Sequence, residues 1–293
     1  VVWESQANIP VGELINDLSQ AYIFETVADM QASTIVFPVG KTIHLNDRGA
    51  DFTVISGTLT GNGKDIIASD NVNQSLRLVN LGGIANIEHF GAVGDAVQGN
   101  TITPSSGTDN TAIIQRALDT GLNVFITKGN FAANQLTMSP NQTIYGDGIN
   151  SRILTTSTSV ALDVRKNCKV LNFTIGALET DTVFIHPNDD FDDPQRNFEY
   201  KDLVVGVGQT IKNQDEVTVD GMYIEKMWRG IGINNCKNIT VTNNIIKWVG
   251  VWQAQFYIVD RLIFNSNQCL YGGNDGGIAA SSATNAVFSN NIV

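Results

Sequence analysis

Residues 215–293 repeat a short pattern, and that repeat constrains the fold more than any other property of the chain. Four segments share two alternating apolar residues, then polar turn formers, then another apolar residue. They are DEVTVDGMYI from Asp215, KNITVTNNII from Lys237, DRLIFNSNQC from Asp260 and TNAVFSNNIV from Thr284. Their starts are 22, 23 and 24 residues apart. Val217/Val219, Ile239/Val241, Leu262/Phe264 and Ala286/Phe288 then fall in register, as do Ile224, Ile246, Cys269 and Val293. A unit this small cannot bury its apolar side alone and must stack on the next unit. Apolar spacing of period two excludes helical repeats, and scarce leucine argues against a leucine ladder. What remains is a parallel β-helix, each coil contributing short strands. Its turns carry Gly221, Asn243-Asn244, Ser266-Asn267 and Asn290-Asn291. Gly and Asn enter the left-handed backbone region cheaply, and stacked Asn side chains can bond from coil to coil.

Composition agrees with many turns and many short strands. The 293 residues include 31 Asn, 25 Thr and 27 Gly, while charged residues make up 16%, against about 25% in ordinary soluble domains. Hydrophobic residues at 42% suffice for a core, so the chain is not disordered. A net charge of −11 disfavours nucleic acid and anionic membranes as partners. No apolar run is long enough to span a bilayer, and no basic start with an apolar core marks a signal peptide. Cys168, Cys236 and Cys269 lie too far apart for a disulfide framework or a CxxC metal site, and read as buried thiols used as small apolar residues.

A solenoid needs its raw end covered. In TDNTAIIQRALDTG, Thr108 or Asp109 is placed to cap a helix whose apolar side is Ile113/Ala117 with Ile114/Leu118, and Gly121 supplies the stop. No such cap follows the last repeat, so the reading is of a β-helix that continues past Val293. Residues 1–83 form a separate small mixed α/β head, with a helix at Thr26–Thr34 and strands at Val39–Leu45, Phe52–Ile55 and Leu76–Val79; the β-helix occupies 84–293.

NIEHFGAVGD (Asn86–Asp95) followed by TDNTAIIQRALD (Thr108–Asp119) resembles the lead-in of the pectate-lyase-like β-helix superfamily. VFITKGNF (Val124–Phe131) resembles the next strand, and NQTIYGDGINSRIL (Asn141–Leu154) the first full coil. The departures are an insertion at Ala96–Gly107 and Lys128 where Pro is common. YIFETVADMQASTIVFPVGKTI (Tyr22–Ile43) is similar to the head that precedes the β-helix of bacteriophage tailspikes. The resemblance implies a right-handed β-helix in a homotrimeric tail protein of the virion. It further implies contact with other tail proteins through the N-terminal region, and extracellular action on a bacterial surface polysaccharide, which such proteins commonly cleave. Relatives hydrolyse, eliminate or only bind, so the fold does not settle the chemistry.

Glycoside hydrolysis needs a pair of carboxyl groups. The acidic run His186–Tyr200 offers Asp189, Asp190, Asp192 and Asp193 in a long Pro-containing loop, with an ion or subunit contact as the alternative. Glu225 and Asp275 are further acidic candidates, each with a plain surface charge as the alternative, while Asp260 repeats a coil-corner position. Sugar rings rest on aromatic faces, and Trp228, Trp248, Trp252, Tyr257 and Tyr271 are the candidates. Lys226, Trp248 and Tyr271 share one register column, which reads as a sugar groove, as core or as a trimer seam. The Asn-Thr-Asp, His-Gly and Arg-Ile-Lys motifs of polygalacturonases are absent. His44, His89 and His186 lack metal or triad spacing, and no phosphate-binding loop occurs, so no metal or cofactor is expected. Three readings follow: a tailspike depolymerase, a binding-only tail fibre of the same fold, and a free secreted polysaccharide-degrading enzyme.

Overall fold

The alternation of apolar and polar residues resolves into stacked parallel ladders. The structure, a computed structural model, describes residues 22–79, 81–99, 106–155, 161–178, 215–227, 229–249, 252–272 and 277–293. Two units divide near residue 82, with Glu88–Gly91 belonging to the first.

In the first unit a five-stranded sheet runs in the order Tyr22–Phe24, Thr42–Leu45, Ala50–Ser56, Gln74–Leu78, Ile66–Ala68. The first pair is parallel and the others antiparallel. Ile43, Leu45, Phe52, Val54 and Leu76 alternate onto its buried side, and Met30 is the buried residue of helix α1, Val27–Ala32. Thr26 and Asp29 close a reciprocal capping box at the start of α1, the Asp29 N–H donating to Thr26 Oγ1 at 3.1 Å. The helix is shorter than the sequence suggests, because Ser33 is already extended (φ −65°, ψ 138°).

The second unit is a parallel β-helix. Its first ladder stacks Ala85, Val124, Ile144, Val170, Val219, Val241, Phe264 and Phe288, each paired with the next. Its second stacks Phe131, Ile153, Ile175, Ile224, Ile246 and Cys269. A third face pairs Arg229 with Trp252, Ile231 with Ala254 and Ile233 with Phe256, continuing from Ala254 to Ile278. The inward residues are buried from coil to coil through Phe256 and Phe264, while Phe288 in the last described coil is exposed; the three rings meet edge-on or tilted with centroids 5.4–6.2 Å apart. Helix α2, Thr111–Asp119, packs Ile114, Ala117 and Leu118 inward, and Gly121 ends it with φ +73°. The cap differs in detail from expectation. Asn110 is the N-cap residue, but its buried side chain accepts from the Val93 N–H and donates to the Val93 and Thr108 carbonyls. Asp109 takes over the capping, accepting the Thr111 N–H at 2.9 Å.

Between the first and second faces each coil turns through a left-handed residue: Asn172, Gly221, Asn243, Ser266 and Asn290 have φ between +53° and +64°. The residue after each of the last three is Asn, and these form a ladder of their own. Asn244 donates to Asn267 at 2.8 Å, Asn267 to Asn291 at 3.1 Å, and the amides also donate to the Val219, Val241 and Phe264 carbonyls. Asn244 and Asn267 are fully buried. Each amide thus satisfies backbone groups that the turn would otherwise orphan.

Asn267→Ala leaves several buried donors and acceptors without partners, at ~1–3 kcal/mol per group, so a loss of about 3 kcal/mol is expected in urea unfolding. Asn290→Ala, at an exposed corner, loses its bond to Asn265 and puts alanine in left-handed backbone, and should cost a smaller amount, about 1–2 kcal/mol. A second expectation concerns the thiols, none of which is in a disulfide and all of which are buried. Burial pushes the Cys269 thiol up to about 11 and raises Cys168 as well. At pH 9 the native protein should leave Ellman's reagent unreacted while the urea-unfolded chain consumes three equivalents. Rapid labelling of Cys269 in the folded state would contradict the ladder.

Candidate functional site

Alternation that sends Ile153, Ile175, Ile224 and Ile246 inward sends their neighbours out. On the outer side of the second face, Arg152, Thr174, Tyr223 and Ile245 form one row and Leu154, Gly176, Glu225 and Lys247 the next. Gly176 leaves a gap in the second row, and the Glu225 side chain lies across it. A Cβ at Gly176 would stand 3.3 Å from Glu225 Cγ. Through that gap Glu225 Oε1 reaches Arg152 Nη2 at 2.5 Å, and Lys247 Nζ stands 3.9 Å from Oε2 on the other side. The carboxylate side chain is only 8% exposed.

The cations are themselves held in place. Lys247 Nζ sits 3.7 Å from the Trp248 ring centroid and 4.7 Å from that of Tyr223. Arg152 Nη2 also approaches Gln98 Oε1 at 3.4 Å, while Gln98 Nε2 donates to the Ala177 carbonyl at 2.6 Å. Gln98 belongs to the insertion noted in the sequence, whose described ends join through the Val97–Ser106 bridge. Ala96 of that insertion packs on the outer side of the sheet with Ala132, Leu154 and Leu178. Arg152 Nε is buried without a partner. Lys226 follows Glu225 at a left-handed corner, φ +57°. Burial pulls its ammonium below the ordinary lysine value; Glu225 opposes that shift, and Arg152 and Lys247 add to it. Around the next corner Arg229 lies 4.8 Å over the Trp252 ring and donates to Gln255 at 2.8 Å.

The structure therefore brings two of the sequence candidates together and places a third on a different face. Glu225 and Trp248 share one cluster, and Trp252 stacks under Arg229 on the third face. Tyr257 is 47% exposed, five residues further along the same strand as Trp252, and the structure does not bring it to Glu225. The Tyr271 backbone lies level with Trp248, between the Lys247–Leu270 and Val249–Gly272 pairs. Trp228, Asp189, Asp190, Asp192, Asp193, Asp275 and His186 lie outside the described residues. Asp260 accepts from Thr284 Oγ1 and Asn285 Nδ2 of the next coil, a corner role. His44 Nδ1 contacts Asp51 Oδ1 at 2.7 Å, and burial lowers His89. Arg152, Gln98, Lys247, Tyr223 and Arg229 were missed by the sequence reading. Aligning Gly176 with Glu225 and Lys247 would have exposed the gap that the carboxylate fills.

Chemically, the cluster is a half-buried cationic patch braced by aromatic rings, and among the described residues its ion pairs contain a single carboxylate. Among the described residues no group of three His, Cys, Asp or Glu side chains could hold a metal ion. No helix among them is long and apolar enough to cross a membrane.

No protein-family model and no curated protein sequence matches the chain. Solved structures do. The tailspike protein gp49 of Acinetobacter baumannii bacteriophage Fri1, a capsular polysaccharide depolymerase, superposes with a TM-score of 0.53 at 11% identity over 92% of this chain. The A-module of the Azotobacter vinelandii mannuronan C-5 epimerase AlgE6 superposes with a TM-score of 0.51 at 17% identity over 70% of it. The shared fold is the parallel β-helix. The chain spans 60% of the length of the tailspike structure and 55% of that of the epimerase module.

Glu225→Gln removes the carboxylate that offsets two neighbouring cations. Breaking a buried pair costs ~3–5 kcal/mol and an exposed one under about 1, so this partly shielded pair should lose about 2 kcal/mol in urea unfolding. Arg152→Met should cost a similar amount, and the double variant less than the sum of the two.

Proposed function

We propose that this chain is the β-helix portion of a phage tailspike that binds and cleaves a bacterial surface polysaccharide during host adsorption. The observation that carries the reading is the fold match to a tailspike depolymerase over 92% of the chain, the small N-terminal sheet included. The outer side of the second face supports it further. Solenoids use flat sheet faces and the loops beside them as binding surfaces, and this one carries half-buried cations, Lys247 among them braced by aromatic rings. Arg152, Lys247, Tyr223 and Trp248 contact the glycan in this reading, and Glu225 positions Arg152 and Lys247. A two-carboxylate hydrolase would draw on Asp190, Asp192 or Asp275 together with this face. The assembly is a homotrimer, with the N-terminal region meeting other tail proteins.

A tail fibre that binds without cutting is the second reading. It is favoured by the single, shielded carboxylate that the cluster holds among the described residues. Purified capsular, exo- and lipopolysaccharides incubated with the full-length protein separate the two. New reducing ends are expected for hydrolysis and ultraviolet absorbance of an unsaturated uronate for elimination; binding without either product selects the fibre. Absence of both binding and cleavage across the panel would overturn both, and sedimentation tests the trimer.

A further inference from the structure

We infer that the polysaccharide bound on the second face is anionic, its charged groups lying against Lys226, Lys247 and Arg152. The inference rests on the proposed polysaccharide-binding role of that face and adds the substrate class.

The charge balance of the cluster points this way. Arg152 and Lys247 pair with Glu225 and Lys226 follows it at the corner, so among the described residues three cations stand beside one carboxylate, in a chain whose net charge is −11. Such crowding runs against the electrostatics of the whole molecule, since cations brought together in a partly desolvated place repel one another. Burial depresses the Lys226 ammonium, and the neighbouring Arg152 and Lys247 depress it further, so Glu225 alone does not satisfy the group. Lys247 stands 3.9 Å from Glu225, a long contact for an ion pair, and the Lys247 and Arg152 side chains keep part of their surface open. An anionic sugar laid along the row supplies the missing negative charge. The Trp248 and Tyr223 rings fix the Lys247 ammonium in position, so little side-chain freedom is lost on binding. Glu225 then acts as a positioning residue, tying Arg152 and Lys247 together across the gap at Gly176.

An ammonium row accepts a sugar carboxylate or a phosphodiester alike, and the test separates these sources. The full-length protein is titrated against an array of purified bacterial capsular polysaccharides, acidic and neutral, at low and high salt. Binding confined to acidic polysaccharides and weakened at least tenfold between 0.05 and 0.5 M salt is the expected result, on the order of what screening removes from a few ion pairs. The best-binding capsule is then carboxyl-reduced in one arm and dephosphorylated in another. Loss in the first assigns a carboxylate, loss in the second a phosphate, and retention in both overturns the inference. Binding to neutral capsules, or binding indifferent to salt, overturns it while leaving the polysaccharide-binding role intact. Failure to bind any capsule removes that role itself. Lys226→Gln should weaken acidic-capsule binding about tenfold with an unchanged urea midpoint, and Lys247→Gln should weaken it similarly with a midpoint lowered by the lost contacts to Glu225 and the rings, whereas Lys64→Gln in the first unit should not weaken it. If Lys247→Gln fails to fold, Lys226→Gln carries the same test, and unchanged binding by the folded variants contradicts the inference.

Discussion

The coil-to-coil ladder of parallel backbone hydrogen bonds governs everything else in the second unit. It holds only if every coil returns its inward residue to the same height, so that Val219 meets Val241 and Val241 meets Phe264. A slip of one residue would turn each apolar side chain outward. The differences in coil length fall between the second and third faces, where Ile224 to Ile231 spans 7 residues, Ile246 to Ala254 spans 8 and Cys269 to Ile278 spans 9, while the other corners recur in register. Asn238, Arg261 and Asn285 take left-handed backbone before the first face, and Asn235, Ile258 and Ser282 do so within the long strands. Ile258 at φ +53° is a strained choice for a β-branched residue. Its persistence shows that ladder pairing on both sides, Tyr257 with Asn234 and Val259 with Cys236, outweighs local preference.

The site is a by-product of the same alternation. Once Ile175, Ile224 and Ile246 face the core, Gly176, Glu225 and Lys247 must face out at successive heights. The absence of a side chain at Gly176 then lets a carboxylate from one coil bridge to Arg152, two rungs away. A bulky residue there would have kept Glu225 among its own neighbours. The ion-pair network therefore depends on the register as strictly as the core does.

How much of this the sequence disclosed follows from spacing. The last coils are legible because similar residues recur every 22 to 24 positions with Asn at matching turns. The earlier coils are not. Val124 to Ile144 spans 20 residues, Ile144 to Val170 spans 26 and Val170 to Val219 spans 49, so no periodicity survives and only the resemblance in the lead-in points to them. Glu225, Trp248 and Trp252 stand out by residue type. Arg152 does not, because its partner lies 73 residues away and only the closed ladder brings them together. Positive φ at Lys226, Trp248 and Glu216 is likewise unreadable, since nothing in those side chains favours it.

The net charge gains a different meaning once the acids are located. Asp215 accepts the Lys237 N–H, Asp220 accepts from Thr242 and Asn243, and Asp260 accepts from Thr284 and Asn285, all across neighbouring coils. These carboxylates serve as corner acceptors that tie one turn to the next. Three of the 29 acidic residues are thus a consequence of building a solenoid from polar corners, and they sit apart in register from the outward rows that hold Arg152 and Lys247. Two side-chain populations with opposite charge occupy different positions of the same repeat: the corner acids join turns, and the face cations remain available to a ligand. An average over the whole chain conceals that division, and only the register reveals it.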